Sequence, residues 1–148
     1  MKFEKPFTIE IDPTYTQRFE NDEPGCAYGK ITMGYGEDWE SFYMSPQVWN
    51  IEDYVKQWKL AWKHLENHDT SVFVANIQLN PLLELYVIYK INNTIYINNF
   101  LFTGTQYKKL VGKTPFTIQR SLECIPKPPK DFFSKNYDAD RWIIKIIS

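Results

Sequence analysis

Residues 50–65 read NIEDYVKQWKLAWKHL, and the way this stretch folds decides how the rest of the chain packs. Ile51, Tyr54, Val55, Trp58, Ala61, Trp62 and Leu65 recur at i, i+3, i+4 and i+7 spacing, while Lys56, Lys59, Lys63 and Glu66 fall off that stripe. The pattern predicts one amphipathic helix over about 51–66 with a wide apolar face. Asn50 suits the N-cap, and Asp53 stands three positions on, where its carboxylate can reach back to a free amide. Glu52 and Asp53 also match the positive end of the helix dipole, and the helix should stop near Asn67 to Asp69. Trp58 and Trp62, one turn apart, are expected to pack on a sheet, each burying about 150–250 Å². A groove lined for a ligand or partner is the alternative. Gln57 either bonds to backbone at the helix–sheet junction or is solvated.

Upstream, FTIEI (7–11) alternates and is β-branched, as a strand would be. After a loop closed by Pro24 and Gly25, AYGKITMGYG predicts a second strand. WESFYMS (39–45) predicts a third, paired with it through a Gly36-Glu37-Asp38 turn. Downstream, SVFVANIQL (71–79), LLELYVIYK (82–90) and TIYINNFLF (94–102) form a meander, with turns at Asn80-Pro81 and Asn92-Asn93. Simple alternation puts Phe73, Ala75 and Ile77 with Leu83, Leu85, Val87 and Tyr89 and with Ile95, Ile97 and Leu101. Val72, Val74, Tyr86, Ile88, Tyr96 and Phe100 fall on the other face. Both faces are partly apolar, so the sheet should be covered on both sides. GTQYKKLVGKTP suggests a short helical turn, FTIQRSL (116–122) a strand, PKPP (126–129) a stiff crossing, and RWIIKIIS (141–148) a final strand. The expectation is a single α+β domain over 1–148: a mainly antiparallel twisted sheet with one major helix packed on it.

The totals agree. With 148 residues, 43% hydrophobic and 24% charged, the chain reads as globular rather than disordered. Aromatics at 17% can fill a thick core or leave rings for an interface. A net charge of −1 argues against general nucleic-acid binding, which needs a basic excess. The ends differ, however: residues 1–50 carry four Lys/Arg and nine Asp/Glu, and residues 101–148 carry nine and four. The two ends pair with each other, or the acidic part faces a basic partner. Cys26 and Cys124 fit no metal spacing and are expected to be reduced thiols. The N-terminal MKFEKPFTIEID lacks the apolar run of a signal peptide, and no stretch approaches the ~20 apolar residues of a membrane helix. A cytoplasmic protein without membrane contact is the expectation.

Reaction chemistry is hard to find. His64 and His68 stand four apart, but no Glu follows His64 as in HExxH, and the pair straddles the helix end, which suits a solvated terminus. GCAYGKI has three residues between its glycines where a phosphate loop has four, and Ile31 follows the lysine in place of Ser or Thr. Glu37, Asp38 and Glu40 could be a hydrolase pair or a cation site, but nothing in their spacing demands it, and solvated turn acids are the preferred reading. No GxSxG or CxxC motif occurs. The expectation is a protein that is no enzyme and holds no metal or cofactor.

Three runs carry a resemblance. SPxxWxIEDYxxQWKxAWxxL (45–65), SVFVANIxxNP (71–81) and LYVIYKxNNTIYINNFLF (85–102) resemble immunity proteins of bacterial contact-dependent growth inhibition systems. The likeness spans roughly residues 39–102. It includes a Tyr-x-x-Gln-Trp helix, here Tyr54, Gln57 and Trp58, and a strand ending in Asn80-Pro81. A following strand matches at Ile95, Tyr96, Ile97, Asn99 and Leu101. The resemblance implies a cytosolic inhibitor that binds the C-terminal domain of a toxin and blocks it. Many such toxins are nucleases, whose clefts are basic because they hold phosphates. An acidic surface can occupy such a cleft. On this reading Glu20, Asp22, Glu23, Glu37, Asp38 and Glu40 face the toxin, with Tyr35, Trp39 and Tyr43 as aromatic anchors. Tyr54, Gln57, Trp58 and Trp62 belong to the scaffold. Two rivals stay open: an apolar small-molecule pocket between helix and sheet, and an enzyme using the acids near Gly36.

Overall fold

The computed structural model describes residues 5–12, 14, 23–112, 115–124, 126–128, 132–134 and 141–147. The architecture is α+β with antiparallel strands and one major helix, as expected, and the strands divide into two sheets. The first has the order β1 (Phe7–Ile11), β2 (Ala27–Met33), β3 (Asp38–Met44). The second runs β4 (Thr70–Gln78), β5 (Leu82–Ile91), β6 (Thr94–Thr103), β7 (Trp142–Lys145). Helix α1 (Ile51–Leu65) links them, and α2 (Gly104–Val111) and α3 (Ile118–Ser121) lie between β6 and β7 in sequence.

The sheets meet face to face through rings. Phe42 of β3 lies 5.7 Å from Tyr86 of β5, and Phe7 of β1 lies 5.5 Å from Phe73 of β4. Phe42 stands opposite Gly29 on β2 and its ring lies over that residue, so a Cβ at Gly29 would overlap it. The register places Phe73, Tyr86, Ile88, Ile97 and Ile144 on the face turned to the first sheet. Val72, Val74, Leu85, Val87 and Tyr89 occupy the far face. There Phe132 packs 5.2 Å from Tyr89, while α2 brings Tyr107 and Val111 into the core. The faces drawn by simple alternation are therefore corrected. Tyr86, Ile88 and Ile97 lie with Phe73, and a bulge between Val74 and Asn76 puts Ile77 on the opposite face from Phe73, where it pairs with Leu83 as expected.

Helix α1 lies along the outer edge of β4. Its start is closed reciprocally: Asp53 N–H donates to Asn50 Oδ1 (2.9 Å), and Asn50 N–H donates to Asp53 Oδ2 (3.1 Å). Its buried side chains then serve the open backbone of β4. Gln57 donates to Val72 C=O and accepts from Val74 N–H, both at 2.9 Å. Trp58 Nε1–H donates to Val74 C=O (2.8 Å), and the Tyr54 hydroxyl accepts from Ile77 N–H (3.2 Å) while donating to Ser45 C=O (2.7 Å). Ser71 answers by donating to Ala61 C=O (2.8 Å). An edge strand that would otherwise offer a row of bare amides is thus closed by side chains instead of by another strand. Trp62 is half-buried and does not rest on the meander alone. It stacks 4.3 Å from Phe7 of β1, and Lys5 Nζ lies 5.0 Å from its ring centre.

Residues 116–122 are not a strand. Thr117 accepts from Arg120 N–H (3.1 Å) and nucleates α3, whose Ser121 also receives Gln57 Nε2–H at 3.2 Å. The FTIQRSL alternation imitates a strand, but a capping threonine and a partner on α1 decide otherwise.

Candidate functional site

The described residues nominated for contact cluster around the β2–β3 turn and β3, with Glu23 tied to β3, but the pleat divides them. Successive side chains of a strand point to opposite faces. Trp39, Ser41 and Tyr43 project outward with Tyr28, Lys30 and Thr32 of β2, whereas Asp38, Glu40 and Phe42 turn toward the second sheet. The turn itself is Gly34-Tyr35-Gly36-Glu37, so Asp38 begins the strand and does not lie in the turn. Tyr35 holds φ 57°, a strained value for a residue with a Cβ. Its hydroxyl accepts from Ile147 N–H at 2.8 Å, which gives that conformation a tertiary partner.

Trp39 is the exposed ring of the group, with 55% of its surface accessible. Lys30 Nζ stands 4.7 Å from its centre on one face, and the Trp39 amide donates to Asp38 Oδ1 at 2.9 Å. Tyr43 packs edge-on against Tyr28 at 5.6 Å and is half-buried. Its hydroxyl donates to Glu23 Oε1 at 2.6 Å.

Three of the acids expected to face a toxin, Glu23, Asp38 and Glu40, are engaged within the chain. Glu23 accepts from Tyr43, from Ser45 Oγ (3.3 Å) and from Gln47 Nε2 (2.9 Å), pinning its loop to β3 and the segment beyond. The hydrogen bonds from Tyr43 and Gln47 hold the Glu23 carboxyl below its usual range. Burial, then the bond to Glu23, pushes the Tyr43 phenol far above its own. Glu40 receives the Tyr86 hydroxyl from the facing sheet. Close by, Glu84 accepts from Asn99 Nδ2 (2.9 Å), and burial raises its carboxyl, with the Glu40 charge adding to the effect. Asp38 Oδ2 accepts from Trp142 Nε1 at 2.9 Å. Glu37 is exposed, and its side chain has no hydrogen-bond partner among the described residues. Glu10 is exposed on β1 and pairs in register with Lys30. Glu20 and Asp22 lie outside the described residues.

Sequence reasoning missed Trp142 and Tyr86 as partners of these acids. Asp38 and Trp142 are 104 positions apart, and no local pattern announces such a pair.

The surface has other recesses. One of about 440 Å³ separates the β2–β3 turn from β7, between Tyr35, Glu37, Ile143 and Lys145. A second, about 800 Å³, is lined by Tyr89, Lys90, Pro126, Lys127 and Phe133. A third, about 230 Å³ between β1 and α1, touches Trp58 and Trp62. That is below the ~300–1,000 Å³ of typical ligand sites, and the Trp58 indole N–H is already committed to β4. No group of three or more His, Cys, Asp or Glu among the described residues could hold a metal ion. His64 and His68 stack at 3.8 Å, and burial followed by the neighbouring His68 lowers the His64 pKa. No helix among the described residues is long and apolar enough to cross a membrane.

No family model matches the chain, and no curated protein matches it in sequence. Among solved structures, it is similar to a chain of the CdiA-CT/CdiI toxin and immunity complex from Enterobacter cloacae, with a TM-score of 0.65 and 15% identity. The similarity covers 95% of this chain and 90% of that one. At such identity the likeness is one of fold.

Proposed function

We propose that this chain is an immunity protein, which binds the C-terminal domain of a contact-dependent growth inhibition toxin and neutralises it without catalysing a reaction. The observation that carries the reading is the fold shared, almost end to end, with a chain from a toxin–immunity complex. The chemistry of the surface is compatible. Many described acids and rings are spent on internal bonds, as suits a rigid inhibitor, while Trp39 is exposed on the outer face of the first sheet.

The toxin in this proposal is a nuclease, and inhibition works by covering its active site in the cytosol. Trp39 is the central anchor, flanked by Tyr35, Tyr43 and the Lys30 ammonium. Glu37, with Glu20 and Asp22 of the preceding loop, supplies the charge that attracts a basic cleft. Glu23, Asp38 and Glu40 contribute by holding the surface in shape, because their carboxylates are already engaged.

The test is protection. Co-expression with the toxin domain encoded beside this chain should restore growth, and the two purified proteins should form a stable complex. Continued killing in the presence of a folded, abundant chain would remove the proposal.

A further inference from the structure

We propose that Trp142 and Asp38 are positioning residues for Trp39, coupling the C-terminal strand to the exposed anchor. This rests on the toxin-binding reading for its purpose but not for its geometry. The Asp38 carboxylate bridges two groups: Oδ1 receives the Trp39 amide and Oδ2 receives the Trp142 indole N–H, each at 2.9 Å. Asp38 opens β3, so its bridge fixes the first residue of the strand on which Trp39 is second. A second tie fastens the same two pieces, since the Ile147 amide donates to the Tyr35 hydroxyl at 2.8 Å. The β2–β3 hairpin is thereby held to β7 and the residues just after it at two points, within the turn through Tyr35 and directly after it through Asp38. Trp142 is itself placed by the ladder, opposite Ile97, and by the Tyr86 ring 6.4 Å away. The sequence of constraint runs from the second sheet through Trp142 and Asp38 to the Trp39 backbone. Lys30 then holds the ring from one side. An anchor fixed before encounter loses less freedom on binding than a loose one.

Two measurements test this. The first needs no toxin: ¹⁵N relaxation of the Trp39 amide and indole in wild type, Trp142→Phe and Asp38→Asn. Phenylalanine keeps a ring against Tyr86 and removes the donor, whereas asparagine keeps one acceptor oxygen and loses the other. Both variants should show increased motion at Trp39, with the remaining core amides unchanged. Unchanged Trp39 relaxation in either folded variant rejects the positioning role, and the asparagine variant decides if the phenylalanine one does not fold.

The second is binding to the toxin domain encoded beside the chain. Trp142→Phe should weaken it about fivefold, a typical effect of one hydrogen bond. That loss should vanish in a Trp39→Ala background. An equal loss with and without Trp39 would make Trp142 merely structural and overturn the inference. Absence of binding by the wild type would defeat the toxin-binding reading, while relaxation still decides the positioning.

Discussion

Glu84 and Trp39 show how differently two side chains can use the same sandwich. Glu84 is drawn between the sheets, where burial raises its carboxyl and Asn99 donates to it. The native pKa lies above the unfolded one, so ionising Glu84 costs the fold stability as pH rises through that interval. Glu84→Gln keeps an oxygen for Asn99 and removes the charge. Its melting temperature should exceed that of wild type at pH 7, and the difference should close as pH falls to about 4.5, the ordinary value of a free glutamate carboxyl. Trp39 is the reverse case. Truncating a half-open ring on a sheet surface should leave unfolding within about 0.5 kcal/mol of wild type. If it anchors a toxin, Trp39→Ala should cost about 2 kcal/mol or more of binding, read by calorimetry. Equal affinity for both forms would move the anchor elsewhere.

At the scale of elements, α1 was the most legible part of the chain, and the physical reason is local. Its cap, its dipole charges and its apolar stripe all lie within sixteen consecutive residues. All seven strands among the described residues were legible from side-chain pattern and turn residues for the same reason. What failed was non-local. A single bulge in β4 put Phe73 and Ile77 on opposite faces. A cap at Thr117 overrode a strand-like pattern. The partition into two sheets depends on a side-chain edge no periodicity reveals. The candidate surface was legible only as a neighbourhood, because which acids are free depends on Tyr43, Tyr86 and Trp142 arriving from elsewhere. The α1–β4 seam makes its own prediction. Gln57→Ala strands both Val72 C=O and Val74 N–H away from water, at roughly 1–3 kcal/mol each. Denaturant titration should show a loss of several kcal/mol, whereas a loss below about 1 kcal/mol would mean water replaces the amide.

Across the whole molecule, aromatic contacts bind the layers together. Phe42 meets Trp58 of α1 at 6.0 Å as well as Tyr86, and Trp49 stacks on Phe116 at 5.7 Å while donating to its carbonyl. Neither sheet keeps its inner face covered without the other. Heating should therefore give one transition with coincident near- and far-ultraviolet signals, as for a single cooperative unit; two separated steps would show that the sheets fold apart. The seam between α1 and β4 carries a last consequence. The groups that close it, Tyr54, Gln57 and Trp58, are none of those proposed to touch a toxin. Closure of the β4 edge and the proposed contact surface thus lie in separate parts of the molecule. On the proposed reading, substitutions on the hairpin would change the partner while the framework stays as it is.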